Sequence, residues 1–264
     1  MKVGSLCTGY GGLEMAVQSV FGSTNLRFVS DIDKDVNRLL THHHPNVPNL
    51  GDLTKINWDD VEQVDLLCAG YPCQPFSLAG NRKGKDDERA IFQYIAECIS
   101  SLRPRWLLLE NVAGHTTLGG TAVIGALTEL GYNCRWGVVR ASDAGAPHKR
   151  ARLFIWAQTT DTSSKGLQRL RTERELGTWQ KSQHTAWHDY EPCIRRWEKV
   201  TSRPAPVPTK TKGVRPEFVE WMMGLPKGYV TSIGLSRKAE LQILGNGVVP
   251  QQGALAIELL TTLL

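Results

Sequence analysis

One cysteine in this sequence has the neighbours expected of a nucleophile. Cys73 follows Pro72, whose ring fixes the backbone, and both come directly after the apolar run 65–70 (DLLCAG). A second apolar run, 107–112 (LLLENV), carries a carboxylic acid, Glu110, near its end. If the two runs are neighbouring strands of one sheet, the thiol can attack a ring carbon while the acid hydrogen-bonds to a ring nitrogen. That combination is the chemistry needed to methylate carbon 5 of cytosine.

A glycine-rich turn follows the first apolar run and indicates an adenosine-containing cofactor. Residues 8–12 (TGYGG) let the backbone approach a ligand closely, although the spacing is not the dinucleotide fingerprint and an ordinary tight turn also fits. Asp31 closes the second strand, where an acid typically accepts hydrogen bonds from ribose hydroxyls, and Asp52 lies where a third strand end would contribute. Nicotinamide and S-adenosylmethionine are both open on these residues. Cys73 favours S-adenosylmethionine, because hydride transfer needs no such nucleophile.

Basic and amide side chains accompany the cysteine and the acid. Arg150 and Arg152 stand at i and i+2 of a segment predicted to be extended, so both should point the same way and could grip a base oxygen and a phosphate. A basic cluster on the protein surface would show the same residues. Asn111 is predicted to orient Glu110 or the exocyclic amine of the base. Burial would raise the pKa of Glu110 so that it can donate a proton.

Alternating strand-like and helix-like stretches position these residues. Strands are predicted at 2–7, 26–30, 65–69 and 106–109, with helices at 13–21, 34–42, 90–102 and 122–130 and a closing antiparallel pair at 133–140 and 152–157. This alternation predicts an α/β fold, Rossmann-like, with a mainly parallel sheet and helices on both faces.

The pattern fails after the last predicted strand and then returns. A helix is predicted at 216–223, and a tight turn at 245–250 opens a final helix at 252–264. We therefore predict a cofactor-binding catalytic domain made of two parts, interrupted by a small target-recognition region. The domain comprises residues 1–157 and 213–264, and the insert comprises residues 158–212.

The insert holds all the excess positive charge. It contains 11 Lys and Arg against 6 Asp and Glu, whereas the rest of the chain has 20 of each. It also contains Trp179, Trp187 and Trp197. Basic side chains among aromatic ones favour a nucleic-acid surface, because phosphate neutralisation supplies affinity. A solvated basic insert without a partner is the alternative.

Composition narrows the class of protein. The chain has 264 residues, 41% of them hydrophobic, and no apolar run reaches the roughly 18 residues that span a membrane. The N-terminus shows no signal-peptide cleavage region, so a cytoplasmic location is expected. Five of the six cysteines are expected to be reduced, buried thiols, with Cys73 as the exception. The histidines at 42–44 are expected to end a helix, because consecutive residues cannot all face one metal ion.

Seven segments, in order along the chain, resemble motifs of the cytosine-5 DNA methyltransferases. They are 5–14 (SLCTGYGGLE), 31–33 (DID), 51–54 (GDLT), 70–77 (GYPCQPFS), 110–112 (ENV), 150–152 (RAR) and 245–248 (GNGV). The resemblance covers roughly residues 1–157 and 213–264. It implies catalytic roles for Pro72, Cys73, Glu110, Asn111, Arg150 and Arg152. It implies that S-adenosylmethionine binds at Leu6, Cys7, Thr8, Gly9, Gly11, Gly12, Leu13, Asp31, Ile32, Asp52, Leu53, Gly70, Pro72, Asn246 and Val248.

Three features depart from the family's pattern. Cys7 stands where the family often has an aromatic residue against the adenine, so that packing would be looser or would come from Ile32 or Leu53. His148 replaces a usual glutamine and leaves the arginine pair intact. The insert is short for a target-recognition region, which predicts a recognition sequence of about two to four base pairs, since each base contact needs its own side chain.

The resemblance also implies double-stranded DNA as the partner and a cytosine flipped into the pocket. The loop from residue 76 to about residue 89 would close over the base, with Gly80 and Gly84 as hinges. DNA contacts are expected from Gln74, Ser77, Arg82, Lys83, Lys85, Arg89, Arg195 and Arg196. The protein is expected to act as a monomer and to need no metal.

Two other classes fit the same residues. One is a tRNA cytosine-5 methyltransferase on the same scaffold. The other is a non-catalytic DNA-binding descendant, against which the intact Cys73, Glu110 and Arg152 argue. The sequence reveals neither the recognition sequence nor a cognate restriction endonuclease, and restriction protection, phage DNA modification and regulation are all open as roles.

Overall fold

The computed structural model of the 264-residue chain describes residues 1–72, 91–160, 182, 186–210 and 213–262. Within them a six-stranded sheet has the order β2-β1-β3-β4-β6-β5. Its strands are β1 (Lys2–Leu6), β2 (Asn25–Ser30), β3 (Leu66–Gly70), β4 (Trp106–Val112), β5 (Tyr132–Arg140) and β6 (Ala151–Thr159). The first four strands run parallel, whereas β6 is antiparallel to both β4 and β5. The predicted α/β class with a mainly parallel sheet is confirmed.

Helices cover both faces of this sheet, because its central strands are apolar on both sides. The helices are α1 (Gly12–Phe21), α2 (Lys34–His43), α3 (Ile91–Leu102), α4 (Gly120–Glu129), α5 (Glu191–Thr201), α6 (Pro216–Met222), α7 (Arg237–Asn246) and α8 (Pro250–Thr261). Helices α1 and α8 share a core with one face, and α3 and α4 share a core with the other. The last helix therefore returns to pack against the first.

A third core lies beside the sheet and joins α2 to α5, α6 and α7. The Trp197 indole N–H donates to the Trp221 carbonyl oxygen at 2.8 Å, and the ring of Trp187 stacks on that of Phe218 with centroids 5.9 Å apart. This core contains residues from the predicted insert, 158–212, and from the part of the predicted catalytic domain that follows it. A short antiparallel pair, β7 (Thr209–Lys210) and β8 (Gly213–Val214), precedes α6.

Two helices differ from what the sequence pattern predicts. Helix α5 lies where periodicity is weak, because only a narrow side of it is apolar, with Ile194 and Trp197 buried. Helix α7 extends into the segment predicted as a tight turn, so that Gly245 and Asn246 form its last turn. The two helices belong to the third core, which explains why both form despite their polar composition.

Candidate active site

The turn between β1 and α1 passes through left-handed backbone conformations. Gly9 has φ 56° and Gly11, the N-cap of α1, has φ 87°, which glycine adopts without strain. Gly12 has no space for a side chain, because a Cβ there would lie 2.2 Å from the Val248 carbonyl oxygen. The Tyr10 hydroxyl donates to that same oxygen at 2.7 Å. The turn is therefore locked to the segment that leads into α8.

An acid at the end of β2 completes this turn. The carboxylate of Asp31 accepts hydrogen bonds from the backbone N–H of Gly9 at 2.9 Å and of Asp33 at 3.0 Å. Burial raises the pKa of Asp31, and the two N–H donors oppose that rise. Asp33 caps α2 by accepting from the backbone N–H groups of Asp35 and Val36. Two carboxylates thus stand side by side where β2 ends.

A cavity of about 400 Å³ opens at the carboxyl ends of β1, β3 and β4. Ligands bind at this edge in open α/β sheets. Four carboxyl side chains, those of Glu14, Asp31, Asp33 and Glu110, line it together with one guanidinium, that of Arg152. The cavity wall is therefore acidic and suits a ligand that carries positive charge.

Most of the predicted cofactor residues line this cavity. They are Leu6, Cys7, Thr8, Gly9, Gly12, Leu13, Asp31, Gly70, Pro72, Asn246 and Val248. Four others do not. Gly11 caps α1, Ile32 is 76% exposed to solvent, the Asp52 carboxylate accepts from the Thr54 backbone N–H, and Leu53 is buried under α3. Ile32 and Leu53 lie outside the cavity wall, and adenine packing on either of them stays a prediction.

Glu110 lies beside the strand end that leads to the predicted nucleophile. The register of β3 and β4 pairs it with Gly70, three residues before Cys73. Glu110 is 7% exposed, and its carboxylate accepts from Arg152 Nε at 2.9 Å. Burial raises the pKa of Glu110 to about 7, although the nearby charges of Arg152 and Arg150 act in the opposite direction. This carboxyl group can therefore carry a proton near neutral pH.

The neighbours of Glu110 fix the ends of β3 and β4 to each other. The Asn111 amide donates to the Tyr71 carbonyl oxygen at 3.2 Å, and its own oxygen accepts from the Val112 backbone N–H at 2.8 Å. The Tyr71 hydroxyl lies 3.1 Å from His115 Nε2, and burial lowers the pKa of that histidine. Asn111 therefore holds the backbone on which the cysteine segment begins, whereas the sequence predicted that it orients the acid or the base.

The two arginines of the predicted pair have different partners. Arg152 lines the cavity and binds Glu110. Arg150 does not line it, because its Nη2 donates to the carbonyl oxygens of Gly245 at 2.7 Å and Gly247 at 2.6 Å. The expectation that both side chains grip the base and a phosphate assumed extended backbone. Arg150 has φ 34°, so the backbone is not extended at this residue.

Most of the predicted DNA contacts lie outside the described residues. This applies to Gln74, Ser77, Arg82, Lys83, Lys85 and Arg89, and the predicted nucleophile Cys73 lies outside them as well. Arg195 is described, but its guanidinium pairs with Glu191 at 2.5 Å and with Glu198 at 2.7 Å, so it is occupied within α5. Arg196 is exposed on the same helix, with its stem beside Gly145.

Several residues at the cavity were not predicted. Gln242 and Ile243 reach it from α7, which the sequence pattern did not indicate as a helix. Glu14 lies in the first turn of α1 and also lines the wall. The sequence contained no particular signal for Glu14, because an acid in the first turn of a helix is common.

The part of the chain that the structure describes contains neither a candidate metal site nor a candidate membrane-spanning helix. No group of three or more His, Cys, Asp or Glu side chains there is arranged to hold a metal ion. Among the same residues, no helix has both the length and the apolar character needed to cross a membrane.

Comparison with known proteins supports the resemblance seen in the motifs. A family model described as C-5 cytosine-specific DNA methylase matches residues 1–199. The Type II methyltransferase M.DsaV of Dactylococcopsis salina is 36% identical over 161 residues, which are 59% of this chain and 45% of that protein. The Type II methyltransferase M.HhaI of Haemophilus parahaemolyticus is 30% identical over 168 residues, 62% of this chain and 50% of that protein. The chain thus matches about half the length of these relatives.

Solved structures share the fold over nearly the whole chain. The S. pombe Dnmt2 methyltransferase superposes with a TM-score of 0.70 at 18% identity, covering 99% of both chains. The Entamoeba histolytica methyltransferase EhMeth superposes with a TM-score of 0.60 at 16% identity, covering 98% of this chain and 97% of that one. At such identities the likeness concerns the fold alone.

Proposed function

The chain belongs to the C-5 cytosine-specific DNA methylase family, and from that premise we propose that it methylates carbon 5 of cytosine in double-stranded DNA. One observation carries this proposal. A buried glutamate whose pKa is raised to about 7 stands beside Arg152, on the strand adjacent to the one that leads to Cys73. An acid that is protonated near neutral pH, close to a thiol, is what attack on a pyrimidine ring requires.

The cavity fits S-adenosylmethionine as the methyl donor. Its volume of about 400 Å³ is in the range of small-molecule sites, and its four carboxyl groups suit a ligand with a sulfonium and an ammonium charge. Asp31 would hold the ribose, and the turn of Gly9 and Gly12 would lie against the rest of the donor. When bound, S-adenosylmethionine supplies an electrophilic methyl group on a positively charged sulfur.

The protein's own groups would activate the cytosine. Carbon 5 is unreactive until the Cys73 thiolate forms a bond to carbon 6, which moves an electron pair towards carbon 5. Glu110 would hold a proton at ring nitrogen 3 and so stabilise the adduct, with Arg152 keeping the carboxyl group in place. After carbon 5 has gained the methyl group, a base removes its proton and the bond from sulfur to carbon 6 breaks. Cys73 is thereby returned as a thiolate.

The target base must leave the DNA duplex to reach this site. Carbon 5 and carbon 6 of a stacked cytosine are inaccessible to a thiol in a cavity wall, so we propose that the base is flipped into the cavity. We also propose a recognition sequence of about two to four base pairs, because the segment 158–212 is short. A fully specified target of six or more pairs would contradict that estimate.

The reaction can be tested and mapped in one experiment. Plasmid DNA is incubated with the protein and S-adenosylmethionine, and 5-methylcytosine is located by bisulfite sequencing. We expect methylation at one short sequence, lost in Cys73→Ser and retained in Cys193→Ser, a matched change on α5. If labelled methyl groups instead enter tRNA and not DNA, the proposed substrate is wrong.

A further inference from the structure

One buried glutamine holds the end of the hairpin that carries Arg152. Gln252 lies in the first turn of α8 and is fully buried. Its amide Nε2 donates to two carbonyl oxygens, that of Val139 on β5 and that of Arg150 just before β6, each at 2.8 Å. Val139 is also the residue that the pairing of β5 with β6 places opposite Arg152. The side chain therefore binds both strands of the hairpin near the end of their ladder.

The amide of Gln252 uses its N–H donors, whereas its oxygen has no partner. Its Oε1 is buried and accepts no hydrogen bond from the residues that the structure describes. A buried acceptor without a donor costs stability, and an apolar side chain of similar size would avoid that cost. The two hydrogen bonds from Nε2 are therefore what glutamine provides at this position and an apolar residue does not.

The backbone that Gln252 holds is strained. Arg150 has φ 34°, in the left-handed region that residues other than glycine rarely adopt. Such a conformation persists only where its surroundings fix it. The Arg150 guanidinium is bound to the carbonyl oxygens of Gly245 and Gly247, and the Arg150 carbonyl oxygen is bound to Gln252. Loss of the Gln252 side chain would remove the contact that fixes the backbone directly before β6.

Arg152 follows the strained residue by two positions and pairs with Glu110. Phe154 stands opposite Glu110 in the pairing of β4 with β6, so Arg152, two residues earlier, is a diagonal neighbour of Glu110 on the same face. From there its Nε reaches the Glu110 carboxylate at 2.9 Å. The direction of the Arg152 side chain therefore depends on where the first residues of β6 are held.

We propose that Gln252 is a positioning residue, which holds the start of β6 so that the Arg152 guanidinium stays against Glu110. This inference rests on the proposed function, in which Glu110 holds a proton at the ring nitrogen. The charge of Arg152 opposes the rise in the pKa of Glu110 that burial causes. Arg150, before β6, and the Tyr10 hydroxyl, after β1, also interact with this carboxyl group. Loss of the Gln252 contact should therefore raise the pKa of Glu110 further.

Carbon-13 NMR of labelled glutamate side chains tests the proposal without DNA or cofactor. The Glu110 carboxyl signal is assigned by its absence in Glu110→Gln, and its titration is followed from about pH 4 to about pH 10. Gln252→Met keeps the length of the side chain and removes both donors, so we expect the midpoint to rise by about one pH unit. Arg152→Met removes the guanidinium itself and should give a larger rise. An unchanged midpoint in folded Gln252→Met would overturn the proposal.

The neighbouring glutamine on α8 supplies the matched control. Gln251 donates from Nε2 to the Gly224 carbonyl oxygen at 2.9 Å, outside the hairpin. Gln251→Met therefore removes a hydrogen bond from the same turn of α8. It should lower the melting temperature, as Gln252→Met does, and leave the Glu110 midpoint unchanged. Equal rises of the midpoint in both variants would mean that the start of α8 has loosened as a whole, and would overturn the proposal.

Methyl transfer gives a second readout. We expect the single-turnover rate at saturating S-adenosylmethionine to fall about tenfold in Gln252→Met, with the dissociation constant of the cofactor within about twofold of wild type. If Gln252→Met does not fold, Gln252→Asn decides, because its shorter amide cannot reach both carbonyl oxygens and should raise the midpoint to a smaller extent. Wild-type protein that methylates no DNA would contradict the proposed function, whereas the titration of Glu110 would still decide the role of Gln252.

Discussion

Two regions of the molecule each bury a glutamate beside an arginine, but the two acids titrate in opposite directions. At the edge of the sheet, Glu110 pairs with Arg152, and burial raises the pKa of the acid to about 7. On α5, Glu198 pairs with Arg195, and its pKa is lowered. The presence of an arginine therefore does not decide the direction of the shift.

The difference lies in the number of donors that each carboxylate receives. Glu198 has a fully buried side chain, and burial alone would raise its pKa. It accepts, however, from the backbone N–H groups of Ser182 at 3.0 Å and Ala205 at 2.8 Å, as well as from Arg195 at 2.7 Å. Among the described residues, Glu110 accepts from Arg152. A carboxylate surrounded by donors stabilises the fold, whereas one short of donors at a cavity is available for chemistry.

The largest expected effect is on catalysis at Glu110. Replacing it in Glu110→Gln removes a group that can hold a proton at the ring nitrogen, so we expect the rate of methyl transfer to fall about 10³-fold. The free energy of unfolding at neutral pH should not fall, because the buried ionised form is disfavoured there. Single-turnover transfer with excess enzyme measures the rate. Glu129→Gln, which changes an exposed acid on α4, is the matched control.

The reverse outcome is expected at Glu198. Glu198→Gln leaves Arg195 without its buried partner and disturbs the N–H groups of Ser182 and Ala205, so the free energy of unfolding should fall by about 4 kcal/mol. Methyl transfer per folded molecule should stay near the wild-type rate. Urea denaturation at 25 °C, followed by fluorescence, measures the stability. A large loss of rate in protein that is still folded would remove the distinction between the two regions.

The pH dependence of stability should have opposite sign for the two acids. Because Glu110 has a folded pKa of about 7 against a usual 4.5, its contribution is fully present below pH 4.5 and is lost as the pH rises through 7. Relative to Glu110→Gln, wild-type protein should therefore lose about 3 kcal/mol over that window. The contribution of Glu198, whose pKa is lowered, is present above pH 4.5 and is lost as the pH falls. Urea titrations of the wild type and both variants, from pH 4 to 8, measure how the free energy of unfolding changes with pH and so give the sign for each acid.

The contrast also shows what the sequence could predict. Glu110 was found because it follows a continuous apolar run, and the alternation of strands and helices places the ends of such runs at one edge. Neither Glu198 nor its helix was predicted, because α5 has few apolar residues. The helix is stabilised by a core that it shares with segments distant in the sequence. The partners of a buried acid come from segments far apart in sequence, and no local pattern reports them.

The arginine pair shows a second limit of sequence reasoning. Spacing at i and i+2 predicts a shared direction only where the backbone is extended, and it is not extended at Arg150. The partners of Arg150, Gly245 and Gly247, lie about a hundred residues later and became visible only in the fold. The sequence therefore predicted one shared direction for the two arginines, whereas Arg152 lines the cavity and Arg150 donates to the carbonyl oxygens of Gly245 and Gly247.

The smallest expected effect concerns the contacts of Arg150 with Gly245 and Gly247. In Arg150→Lys the charge stays, but an ammonium group cannot reproduce the planar fork that holds the carbonyl oxygens of Gly245 and Gly247. Because Asn246 and Val248 line the cavity next to them, we expect the dissociation constant of S-adenosylmethionine to rise about fivefold, while the rate at saturating cofactor stays unchanged. Calorimetry and single-turnover assays measure the two quantities, with the exposed Arg196→Lys as the control. An unchanged dissociation constant with a reduced rate would mean that Arg150 acts on the base, as the sequence pattern predicted.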